Sequence, residues 1–155
     1  MTSSWPARPD TWPKGLYNNV VKLLSLYFHL VDSKEASAGP RLADEVFSKD
    51  GKWFASAGYF EGHDGIAASR IKAWDTVNSQ SHELRKVFLN DAHGLDLLLV
   101  GVANVDRKNT GPITVEFFVR AVISNELWGP RVKYWQPVAL KPVPSDQPLL
   151  ADVEL

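Results

Sequence analysis

The hydrophobic period of this chain changes once, and that change decides what it can fold into. Up to about Trp74, apolar residues recur at helical spacing; from Ser81 onward they recur at every second position. In the first half, Val20, Leu24, Tyr27 and Val31 form one stripe, widened by Val21 and Phe28, so a helix is expected over residues 13–31. Pro13 suits its first turn. A second helix is expected over residues 40–48, with the pairs Leu42/Val46 and Ala43/Phe47 facing inward. A third, capped by Asp64, is expected to bury Ile66, Ala67, Ile71 and Trp74. Between these two, residues 52–55 read as a short strand and 57–62 as a tight connection. In the second half, strands are expected over 81–89, 95–105, 112–124 and 131–139, separated by polar or glycine-containing turns. Helices first and a long antiparallel meander afterwards is an α+β arrangement. Three N-terminal helices covering one face of a curved, mostly antiparallel sheet enclose a cone.

The ends read differently. Residues 1–13, broken by Pro6, Pro9 and Pro13, are expected to be a loose arm, and residues 141–155, with Pro142, Pro144 and Pro148, a loose tail. Residues 14–140 carry no repeat or composition break and are expected to form one domain, as 155 residues allow.

Composition narrows the function. Seventeen Lys and Arg against eighteen Asp and Glu leave no cationic excess for a nucleic-acid partner. The chain has no cysteine, its four histidines are scattered, and no acidic cluster accompanies them, so no metal site or cofactor is expected. The start has no apolar signal region, and no apolar run approaches the roughly 20 residues that span a bilayer. A cytoplasmic protein without a membrane partner is expected. Six Trp, seven Phe and four Tyr exceed what a small core needs, which points to an aromatic-lined cavity for a small apolar molecule. Residues 97–100 and 117–119 are apolar on both strand faces, so a homodimer through the uncovered sheet face is expected. Glu116 and Arg120, sharing a face with Phe118, are expected to pair near that interface.

The layout also resembles a known family. Tyr27-Phe28-His29-Leu30-Val31-Asp32-Ser33-Lys34 closing the first helix, Phe60-Glu61-Gly62-His63-Asp64-Gly65-Ile66 opening the third, and Arg131-Val132-Lys133-Tyr134-Trp135-Gln136 in the last strand are similar to the SnoaL-like branch of the nuclear transport factor 2-like superfamily. The likeness spans residues 16–138. It implies a cone fold, and a choice among dehydratases, isomerases, cyclases, epoxide hydrolases and binding proteins. Measured against scytalone dehydratase, Asp32 and His82 have counterparts, while that enzyme's second pocket histidine falls near Gly101. Measured against ketosteroid isomerase, Tyr27 has a counterpart, while its two carboxylates fall near Ala55 and Val119.

These residues divide into candidates with roles. His82 can move a proton, and Asp32 can orient it or act as the base, although an Asp at a helix end also satisfies local backbone donors. Tyr27 and Tyr59 can donate to a carbonyl or hydroxyl oxygen; the first is otherwise a core residue and the second a cover for the entrance. Trp53, Trp74 and Trp135 suit walls around a flat substrate, and Arg41 a contact to an anionic oxygen. The expected activity is a cofactor-free isomerase, cyclase or dehydratase acting on a polyketide-like or terpenoid intermediate. The alternative is a binding or protein-interaction module on the same cone.

Overall fold

The computed structural model describes residues 11–149. Residues 1–10 of the expected arm and 150–155 of the expected tail lie outside the described residues. Thr11 is buried, and its carbonyl accepts the Val87 backbone N–H at 3.0 Å.

Helix α1 spans Asn18–Val31 and buries Val20, Leu23, Leu24, Tyr27, Phe28, Leu30 and Val31. It starts later than Pro13 because Gly15, at φ 89°, turns the chain before it. Helix α2, Ala38–Arg41, runs into a π-helical turn, Leu42–Val46, that sends Leu42, Ala43 and Val46 into the core. The expected second helix ends there, since Phe47 is already extended and opens strand β1, Phe47–Ala55. The connection expected over 57–62 is itself largely strand: β2, Gly58–Glu61, folds back on β1 as a hairpin.

Helix α3, Gly62–Ala67, has Glu61 rather than Asp64 at its N-cap position, without a side-chain capping bond, and stops well before Trp74. The chain then proceeds in successive three-residue turns, with Ser69, Ile71 and Ala73 N–H groups bonding back to Ile66, Ala68 and Arg70. Ile71, expected in the core, is therefore 77% exposed, and Trp74 is half-buried.

Four long strands follow: β3 Val77–Leu89, β4 Asp96–Arg107, β5 Gly111–Glu126 and β6 Gly129–Pro142. The last runs two residues into the expected tail. The sheet order is β2-β1-β6-β5-β4-β3, antiparallel except where β1 lies parallel to β6. This is the expected α+β cone: three helices and a curved six-stranded sheet whose edges, β2 and β3, do not meet.

Alternation decides what faces the helices. Gly101, Ala103 and Val105 on β4 share the concave face with Val115, Phe117 and Val119 opposite. Register shifts reset that alternation. Phe118 pairs Ala139 but Val119 pairs Pro137, so Val138 is looped out and both Pro137 and Leu140 turn inward. The convex face carries Leu98, Val100, Val102 and Phe118. On it Arg120 pairs bidentately with Asp96, at 3.0 and 2.8 Å, instead of with Glu116 as expected. Asp96 lies nearly across the ladder, next to Leu98, the direct partner of Arg120. No helix among the described residues is long and apolar enough to cross a membrane.

Candidate active site

The site begins with an acid at the wrong end of a helix. Asp32 is the C-cap of α1, where the helix dipole disfavours negative charge by about 0.3–1 kcal/mol. Its partners offset this. β3 is an edge strand, so alternate N–H groups have no ladder partner. Asp32 Oδ2 accepts one of them, the backbone N–H of His82, at 2.9 Å. Asp32 Oδ1 accepts Nδ1–H of the same residue at 2.6 Å. One carboxylate thus fixes both the strand and the ring. The carboxylate can only accept, so Nδ1 is the donor, and in the neutral imidazole Nε2 carries the lone pair. Among the described residues Nε2 has no hydrogen-bond partner. The carboxylate is 9% exposed and the imidazole 22%, so the pair is shielded, with the ring on its open side.

That open side is a cavity of about 620 Å³ between the helices and the concave sheet face. Phe28, Trp53, Phe117, Val115 and Trp135 are among its walls, and His82 and Tyr27 both line it. Phe28 joins them: its ring centroid lies 5.6 Å from that of His82 and 5.0 Å from that of Tyr27. One small molecule can touch both.

Tyr27 stacks on Trp135 with 3.8 Å between centroids, and its oxygen accepts Trp53 Nε1–H at 3.1 Å. Burial drives its pKa well above the ordinary tyrosine value, against the opposing effect of the Trp53 bond. Its hydroxyl therefore stays protonated and keeps a hydrogen to donate.

Not every candidate gathers here. Trp53 and Trp135 line the cavity, and Asp32 stands behind His82. Tyr59 lies outside on the exposed hairpin, 47% exposed, with its hydroxyl on Glu61. Arg41 is bound to Glu45 at 2.5 Å on the surface. Trp74 lies under Lys34 and Arg70, 5.0 and 5.7 Å from its ring, and forms no part of the wall. His29, His63 and His93 are exposed. At Gly101 no side chain fits: an added Cβ would stand 2.4 Å from both the Glu83 carbonyl oxygen and Phe117 Cζ. The ring of Phe117, 5.8 Å from His82, fills that part of the site. Among the described residues no three potential ligands gather around a metal position.

Among the lining residues missed by the sequence reading, two touch the site directly. Arg70 and Gln80 both donate to the Val31 carbonyl, at 2.6 and 3.0 Å, and so satisfy the open C-terminus of α1 beside Asp32. Gln80 was legible through parity, since it shares a strand face with His82. Arg70 had a signal too: it falls four residues after Ile66 and four before Trp74, on the apolar face expected for the third helix.

Solved structures with this architecture extend over most of the chain. A hexachlorocyclohexane dehydrochlorinase, LinA type 2, matches at 12% identity and TM-score 0.64, covering 87% of this chain and 93% of its own. A Catenulispora acidiphila protein with a ketosteroid isomerase-like fold, complexed with trimethylamine, matches at 14% identity and TM-score 0.61, covering 76% and 85%. A nuclear transport factor 2-like superfamily protein from Salmonella enterica matches at 14% identity and TM-score 0.58, covering 81% and 90%. At such identities they establish the fold, the nuclear transport factor 2-like cone. No protein-family model and no curated protein matches the sequence.

Proposed function

We propose that this chain is a cofactor-independent lyase or isomerase of the SnoaL-like kind, with His82 as general base. One observation carries the reading: an imidazole borders an apolar cavity while a shielded carboxylate holds its Nδ1–H. Nε2 takes a proton from a carbon of the bound substrate, and the C–H electron pair enters a new double bond. In a dehydration the imidazolium returns that proton to the departing hydroxide as water; in an isomerisation or cyclisation it returns it elsewhere on the substrate. Either way the base is regenerated. Tyr27 donates to the substrate oxygen where negative charge develops. Aromatic walls exclude water and suit a small polyketide-like or terpenoid intermediate. That a similarly folded protein is a dehydrochlorinase is in keeping with proton removal from carbon.

The test follows carbon-bound protons directly. Enolisable ketones and β-hydroxy ketones sized to the cavity are incubated with the protein in D₂O, and loss of their C–H signals is followed by NMR. The expected result is exchange or elimination that falls about 10²–10⁴-fold in His82→Ala. Binding with no exchange across the panel would favour a non-catalytic binding module; unchanged exchange in His82→Ala would remove His82 from the mechanism.

A further inference from the structure

Arg70 is a cation on the cavity wall that makes no direct ion pair. Among the described residues no carboxylate lies within ion-pair distance of its guanidinium. Asp32 is close enough to act on it electrostatically, but both of its oxygens are held by His82. One Nη donates to the Val31 carbonyl, while Nε is buried without any partner. A buried N–H without an acceptor and a partly desolvated charge without a contacting ion-pair partner are both unfavourable states. Burial accordingly pulls the arginine pKa below its ordinary value, against the opposing influence of Tyr27 and Asp32.

Capping α1 does not account for this. A single donor to Val31 would do, and Gln80 already supplies one at 3.0 Å. The guanidinium carbon lies 5.7 Å over the Trp74 ring, and with Nε shielded the N–H groups on the two Nη atoms are the ones available to a ligand. The planar fork of arginine matches the two oxygens of a carboxylate. The other lining arginine, Arg107, is already committed: its Nε and an Nη donate to the Gly111 and Thr110 carbonyls at 3.0 and 3.4 Å.

We propose that Arg70 anchors a carboxylate carried by the substrate, so that the cavity takes small apolar acids. This builds on the reading of His82 as the base and adds orientation. The acid end is held at Arg70, beside the C-terminus of α1, and the apolar body lies along Phe28, Trp53 and Trp135 with a carbon presented to Nε2. With Arg107 held by two carbonyls, one guanidinium with donors to spare in a cavity of about 620 Å³ with apolar walls suits a monocarboxylate better than a phosphate, which calls for several donors.

Isothermal titration calorimetry with matched pairs tests it: 3-phenylpropionate against 3-phenylpropionamide, and cyclohexanecarboxylate against its amide. The acid of each pair is expected to bind at least about tenfold more tightly in the wild type. Arg70→Gln should bring acid and amide within about twofold, Arg70→Lys should retain a reduced preference, and Arg107→Gln should leave the preference intact. Circular dichroism checks that Arg70→Gln is folded; if it is not, a preference at least about threefold smaller in Arg70→Lys is the supporting result. The proposal is overturned if amides bind as well as acids, if no acid binds up to about 10 mM, if the preference survives in Arg70→Gln, or if it vanishes in Arg107→Gln. His82→Ala should keep the preference. Acid selectivity without proton exchange would therefore refute the base and leave the anchor standing, and exchange without acid selectivity would do the reverse.

Discussion

Replacing Asp32 by Asn separates the shape of the site from its chemistry. Asp32 presents two acceptor oxygens to two donors on His82, the fixed backbone N–H at 2.9 Å and the ring Nδ1–H at 2.6 Å. Asn offers one acceptor and one NH₂. If its oxygen takes the ring proton, the NH₂ faces the backbone N–H of an edge strand, leaving that donor unsatisfied at about 1–3 kcal/mol. If its oxygen takes the backbone N–H, the NH₂ faces Nδ1, and the ring relieves the clash by moving its proton to Nε2. The second outcome costs less, because the imidazole has two tautomers and the peptide group has none. The variant should then be properly shaped with its base switched off. Two charge-assisted bonds become ordinary ones, a loss of about 1 kcal/mol each, and relief of the unfavourable helix end returns about 0.3–1 kcal/mol. A net loss of about 1–2 kcal/mol leaves the fold intact. Long-range ¹H–¹⁵N correlation spectra should show the wild-type ring protonated at Nδ1 and the Asp32→Asn ring at Nε2. Proton exchange in D₂O should fall by about 10²–10⁴-fold, as for loss of a general base. An unchanged tautomer, or a flipped one with undiminished exchange, would refute this account of what Asp32 does.

Two further outcomes follow from the structure. Tyr27→Phe removes the acceptor of the Trp53 bond, so stability at neutral pH should drop by about 0.5–1.5 kcal/mol and rate by about 10–10³-fold. Burial raises the folded phenol's pKa, so above pH 10, where the unfolded tyrosine ionises first, wild-type stability should fall by about 1.4 kcal/mol more per pH unit than that of the variant, closing the gap between their urea midpoints; a constant gap would contradict it. The convex face bearing Leu98, Val100 and Phe118 is expected to pair with a second copy, and sedimentation at micromolar concentration showing monomer alone would count against that.

How far the sequence reaches is clearest where helical and strand patterns meet. The stripe of α1 and the four long strands follow from burial on one face, a strong constraint repeated over many residues, and each appears close to its expected span. The short elements do not follow, because few residues specify them. Whether the run after Asp64 stays helical depends on where the chain must turn to reach β3, and it turns at Ala67, so Ile71 is left in solvent. β2 has no buried face at all, only three exposed residues and half-buried Phe60, so nothing in its periodicity announces a strand.

The site was legible to the extent that it hangs on those long elements. His82 faces the cavity because it keeps parity with Gln80 and Leu84, before the register shift that follows Leu84. Had that shift come four residues earlier, the same sequence would point its imidazole outward. Asp32 was legible only through resemblance, because an acid at a helix end has a local explanation in most folds; what marks it here is a partner 50 residues away, which no spacing rule encodes. Arg70 carried its signal in plain view, a charged residue among Ile66, Ala67 and Trp74, and charge alone argued for solvent. Burial of an arginine at such a position requires something to be gained inside. The α1 carbonyl accounts for part of that gain, and a negatively charged ligand would supply the rest.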